Sequence, residues 1–179
     1  MEENTKSPKQ NNSNTIETIA VITTFFVVLF VFMFGFNSCS NEVDNTIYYI
    51  GDVAKSGSLQ FKVNSVSDTN QLGSDLLGET TNANFIVVSL TIKNIGNEEV
   101  SVTSSSFELH LNNSVYENHS GSIWLENGFG LVKNIGAGLS TTFKVAFETP
   151  SVHTKGNYYL YLRDSIIDSP VKFRLSNKT

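Results

Sequence analysis

The stretch Asn84 to Asn94, NFIVVSLTIKN, is apolar on both parities of an extended chain. Ile86, Val88, Leu90 and Ile92 share one face, and Phe85 and Val87 lie on the other. A strand with one solvated face alternates cleanly, so this segment predicts a central strand. Its neighbours do alternate. In GSLQFKVNSV, Leu59, Phe61 and Val63 oppose Gln60, Lys62 and Asn64. The pattern resumes in EEVSVTSSSFELHL (Val100, Val102, then Phe107, Leu109, Leu111) and in STTFKVAFET (Phe143, Val145, Phe147). YYLYLRD places Tyr158, Leu160 and Leu162 on one face, and VKFRL places Val171, Phe173 and Leu175. No stretch after residue 46 sustains a 3.6-residue period, and Gly, Asn and Ser turns separate the runs. The outer part of the chain reads as all-β, an antiparallel β-sandwich, preceded by one N-terminal hydrophobic helix.

That helix is Ile19 to Phe36, IAVITTFFVVLFVFMFGF, eighteen residues without a charge. At 1.5 Å per residue it spans about 27 Å, close to the hydrocarbon thickness of a bilayer. A buried core helix in so small a domain would keep a polar face. Membrane insertion is therefore expected, as a transmembrane anchor or as a lipoprotein signal. Lys6 and Lys9 lie on the N-terminal side, and no Lys or Arg closely follows the run. The positive-inside rule then puts the main domain on the extracytoplasmic side of the cell membrane. Residues 1–18, Asn-rich and polar, read as a disordered cytoplasmic tail. Residues 37–46 read as a tether, and 47–179 as the sandwich domain.

The chain has a single cysteine, Cys39, at the boundary between the apolar run and polar sequence. Bacterial lipoprotein signals end in a Leu-Ala-Gly-Cys-like box, and here the box is Phe36-Asn37-Ser38-Cys39. Ser38 fits the small residue before the cut, whereas Asn37 and Phe36 fit poorly. The apolar run is also longer than the 7–15 residues typical of secretory signals. Cys39 is either the lipid-attachment residue or a bystander beside an uncleaved anchor. One cysteine forms no intrachain disulfide, so the outer domain depends on its core.

Two connections stand out. Gln71 to Asn84, QLGSDLLGETTNAN, reads as a loop long for a hairpin. Asn118 to Gly138 is Gly-rich and contains the only tryptophan, Trp124, with Phe129 nearby. Trp124 and Phe129 are candidate binding-loop residues; the other reading of Trp124 is a plug at one end of the sandwich. The tetrapeptide KNIG occurs at Lys93–Gly96 and again at Lys133–Gly136. Its flanks do not match, and the tolerance of Asn and Gly for positive φ explains its reuse in turns.

Three motifs in order resemble a known family. They are Ile50-Gly51-Asp52-Val53 with GSLQFKVNSV, Phe85 to Leu109, and IGAGLSTTFKVAFETP. They resemble the telokin-like, immunoprotective-antigen-like β-sandwich domains of bacterial surface proteins and lipoproteins, a domain of unknown function. The resemblance covers roughly Ile47 to Leu175 and implies an immunoglobulin-like sandwich. It supplies no catalytic residues. One departure is Ala137-Gly138, where the family often has Pro-Gly.

Catalysis needs convergent activated groups, and the sequence offers none: G-x-S-x-G, H-E-x-x-H and phosphate-cradling glycine loops are all lacking. The three histidines, His110, His119 and His153, read as surface residues. An alternative is a metal-handling lipoprotein that uses them with carboxylates such as Glu117. From Ser40 onward, 14 acidic residues face 10 basic ones, without a Lys/Arg cluster. Nucleic acid is thus not an expected partner. No cofactor is expected. The expected role is non-catalytic: a module at the cell envelope that contacts the membrane and an unknown protein or envelope polymer, through loops or an open sheet edge.

Overall fold

The alternating segments become strands with the expected faces inward. The computed structural model describes residues 46–150, 158–165 and 167–176. By internal contacts the chain divides into two units, Met1–Asn41 and Glu42–Thr179. The apolar run 19–36, Cys39 and His153 lie outside the described residues.

Eleven strands are described: β1 (Ile47–Tyr49), β2 (Val53–Ser56), β3 (Leu59–Gly73), β4 (Gly78–Asn94), β5 (Val100–Thr103), β6 (Phe107–Leu111), β7 (Ser114–Glu117), β8 (Val132–Ile135), β9 (Ser140–Thr149), β10 (Tyr158–Leu162) and β11 (Val171–Arg174). One sheet has the order β1-β11-β10-β6-β7, and the second has the order β2-β3-β4-β9. β5 and β8 form a separate ribbon. β1 runs parallel to β11, while the other pairings are antiparallel.

The two sheets share one core. Leu59, Phe61, Val63, Val88, Leu90 and Ile92 from the second sheet meet Leu109, Leu160, Leu162 and Phe173 from the first, all fully buried. Phe107 packs edge-on against Phe129 and Phe143, with ring centroids 5.0 and 5.8 Å away. β4 lies between β3 and β9, as its two apolar faces demand. Phe85 and Val87, on its outer face, join Leu72, Ala146 and Leu125 in a second, smaller core.

Gln71 to Asn84 is not a loop. β3 and β4 continue through most of it as a long hairpin, and only Ser74–Leu77 turns, with Ser74 N–H donating to Leu77 O at 3.0 Å. The polar composition concealed the ladder because both arms extend past the main core, where no apolar alternation is needed. Register shifts between Val63 and Ser65, and between Thr69 and Gln71, also break the period.

The explanation of KNIG by positive φ is overturned: neither Asn94, Asn134, Gly96 nor Gly136 has one. Asn94 is fully buried and acts as a clamp. Its Nδ2 donates to Glu98 O (2.6 Å) and Ile135 O (2.8 Å), and its Oδ1 accepts from Gly96 N–H (2.8 Å). In the second copy, Lys133 to Ile135 lie in β8, and Asn134 accepts from Ser101 Oγ on the surface.

The turn Gly136–Leu139 closes with Leu139 N–H donating to Gly136 O at 3.1 Å, and Gly138 has φ +74°. That is the pattern of a type II turn, whose third residue takes a positive φ and whose second favours proline. Ala137 occupies the second place. Ala137→Pro is expected to raise stability by about 0.4–1 kcal/mol, chiefly by restricting the unfolded chain. Urea denaturation checks this; a lower midpoint in the variant would refute the turn assignment.

Candidate functional site

The segment between β7 and β8 is folded over the outer face of the second sheet. His119 N–H donates to Ala146 O at 2.7 Å, and Phe129 N–H to Lys144 O at 2.8 Å. Gly128 forms a bridge with Lys144. These contacts cover the outer edge of β9, which would otherwise be an open strand edge. Buried Ser122 donates from Oγ to Asn118 Oδ1 (2.9 Å) and accepts Ala146 N–H (2.8 Å). A 3₁₀ turn spans Ser120–Trp124, capped by His119 Nδ1, which accepts from Gly121 N–H at 3.1 Å.

This path separates the two candidate aromatics. Phe129 is buried between Phe107 and Phe143 in the main core, so it packs and does not present a face to solvent. Trp124 is neither a plug nor buried; 46% of it is exposed. It stands against the hairpin tip, so close that a Cβ on Gly73 would lie 2.9 Å from the Trp124 Cβ. Gly73 also has φ +83°, so a side chain there is excluded twice.

Several large apolar side chains of the hairpin turn and of the loop that carries Trp124 are exposed. Leu76 is 93% exposed, Leu77 67% and Ile123 59%. A hollow of about 550 Å³ opens between Gln71, Gly73 and Leu77 on the hairpin and Trp124, Leu125 and Glu126 on the loop. Contiguous exposed apolar surface of this kind marks interaction sites more often than isolated leucines do. Leu76, Leu77 and Ile123 were not among the residues read from the sequence. The signal was present as Leu-Leu inside an otherwise polar stretch.

The described histidines do not meet. His110, on β6, faces outward from the first sheet, with its ring centroid 4.1 Å from that of Tyr161. The Lys172 ammonium lies 4.2 Å above the Tyr159 ring and 5.5 Å from Tyr161. His119 sits over the outer face of the other sheet, its ring 5.2 Å from Phe85. Its Nε2 is 3.8 Å from one oxygen each of Glu79 and Glu148, beyond hydrogen-bond reach. Glu148 also accepts from Thr81 Oγ1. Glu117 pairs across the ladder with Glu108, on His110's sheet. Among the described residues, no group of three His, Cys, Asp or Glu side chains is arranged to hold a metal ion.

A family model described as domain of unknown function (DUF4352) matches residues 48–172, well over half of the chain. The chain belongs to this family. The DUF4352 match covers the whole described sandwich except its extremities. No curated protein matches the chain. Among solved structures, it is similar to the yjhA protein of Bacillus subtilis, with 16% identity and a TM-score of 0.55 over 72% of this chain and 99% of that one. An uncharacterized β-sandwich protein of Clostridium difficile matches at 12% identity and a TM-score of 0.51, over 78% of this chain and 100% of that one. A Bacillus subtilis protein described as a candidate lipoprotein (ycdA) matches at 18% identity and a TM-score of 0.51, over 70% of this chain and 39% of that one. At these identities the likeness shows the DUF4352 fold to be a β-sandwich.

His110 makes the outer face of the first sheet sensitive to acid. Burial lowers its pKa from 6.5, and the Lys172 charge lowers it further. Glu108 Oε2, also paired with Arg163, lies 3.2 Å away and does not outweigh these two causes. The folded state thus favours neutral His110. The resulting stability is present above the unfolded-state pKa and is lost as pH falls through the lowered folded value. Against a His110→Gln variant, the wild type is expected to lose its urea midpoint faster between about pH 7 and pH 5. Parallel loss in both proteins would contradict this.

Proposed function

We propose that this protein is a non-catalytic binding module on the extracytoplasmic side of a bacterial cell envelope. The observation that carries the binding role is the apolar tip formed by Leu76, Leu77, Ile123 and Trp124. It sits on a rigid frame, at the end of the sandwich remote from where the chain enters. Ile47 pairs with Lys172 at the start of β11. The preceding connection places Asp164 against Ser58, whose N–H and Oγ–H donate to it at 2.7 and 2.6 Å. Ser58 marks the start of β3, whereas the apolar tip follows its other end.

Support for the location comes from the uncharged run Ile19 to Phe36 and from Cys39, which together suit an anchor or a lipoprotein signal. The ycdA similarity is to a candidate lipoprotein, in line with that placement. The motifs carry the finer kinship to telokin-like surface domains. A non-catalytic role is supported by the titratable groups that tie strands and loops together, Glu108 with Arg163 and Asp164 with Ser58.

The test is fractionation of the full chain made in a bacterial host, followed by protease treatment of intact cells and intact mass. The expected result is a membrane-associated protein whose outer domain is removed from outside. Its mass will begin either at Met1 or at an acylated Cys39. A full-length chain in the soluble cytosol, protected from protease, would overturn the proposal.

A further inference from the structure

The hollow at the hairpin tip adjoins a second unsatisfied feature. β2 pairs with β3 only from Leu59 to Lys62, and Gly51 N–H reaches Val63 O at 2.8 Å. From Asn64 to Asn70, no described strand pairs with that edge of β3; its other edge is held by β4. Backbone N–H and C=O groups on such an edge are oriented to receive another extended backbone. The same strand then runs directly into Gln71 and Gly73 in the wall of the hollow.

We propose that this edge and hollow together bind an extended segment of another polypeptide, one with an aliphatic side chain beside a lysine or arginine. This rests on the binding-module reading and names its site and ligand class. Strand addition supplies affinity through main-chain hydrogen bonds, and the hollow selects one side chain. The apolar wall of Leu77, Ile123 and Trp124 suits an aliphatic group. The charged groups that line the hollow or touch its lining are acidic. Glu126 is in the wall, and Asp75 accepts from Gln71 Nε2 at 2.9 Å. These carboxylates attract a basic flank and repel an anionic lipid surface. They also disfavour a second copy of this chain, which would bring an identical acidic rim.

The single tryptophan makes the test direct, since Trp124 is the chain's only indole and a scaffold protein free of tryptophan leaves its emission isolated. The full chain in phosphatidylcholine nanodiscs is titrated with a synthetic peptide of alternating leucine and lysine. Companion peptides carry serine for leucine or glutamate for lysine. The leucine–lysine peptide is expected to shift Trp124 emission to the blue and to slow amide exchange across Asn64 to Asn70. Neither companion should do so. Leu77→Ser, at an exposed position that leaves the fold intact, is expected to weaken binding about tenfold, as is Glu126→Lys.

Equal binding of the glutamate peptide, or an emission shift without protection of the β3 edge, would overturn the proposal. So would a Trp124 shift caused by anionic vesicles alone or by self-association on concentration. Failure of the chain to enter nanodiscs would count against envelope attachment instead, and the titration can then be run on the free protein.

Discussion

A strand that is apolar on both faces must be covered on both, and β4 is such a strand. Its inner residues, Ile86 to Ile92 on one parity, meet the first sheet across the main core. Its outer residues Phe85 and Val87 have no sheet to meet. They are covered by the segment after β7, which brings Leu125 down beside Leu72 and Ala146. Leaving Phe85 and Val87 in water would forfeit roughly 1.5–3 kcal/mol each. The chain crosses the outer face of the second sheet for this reason. The crossing hides the edge of β9 and delivers Trp124 to the hairpin tip, while no described strand pairs with the outer edge of β3 from Asn64 to Asn70.

The side chains that build the main core lie away from the hairpin tip. The main core is built from fully buried residues of both sheets and from the Phe107, Phe129 and Phe143 cluster. The Asn94 clamp locks the end where β4 leaves the sheet. At the opposite end the hairpin projects past the core on a polar ladder, and its exposed leucines contribute little to folding.

Most of the sandwich was legible because half-buried strands must alternate, and the inward residues of β3, β6, β9, β10 and β11 are those the alternation picks out. The double-faced character of β4 announced its central place. The ladder between Gln71 and Asn84 was not legible: strands without a buried face leave no period, and bulges erase what remains. Trp124 and Phe129 were chosen on the same grounds, as aromatics in a Gly-rich connection; Trp124 is half-exposed and Phe129 is core. Composition cannot separate the two, because the distinction is made by Ser122 and Gly128 anchoring the loop to β9. The buried role of Asn94 was equally hidden, since its three hydrogen bonds include one to a residue 41 positions away.

The outer face of β4 holds the 118–129 segment in place. Amide exchange in a Phe85→Ala variant tests it most directly. The loop-dependent amides of His119, Gly128, Phe129 and Ala146 are expected to lose far more protection than Val88, Leu109 and Leu160 in the main core. Equal loss throughout, or an unchanged loop, would contradict it.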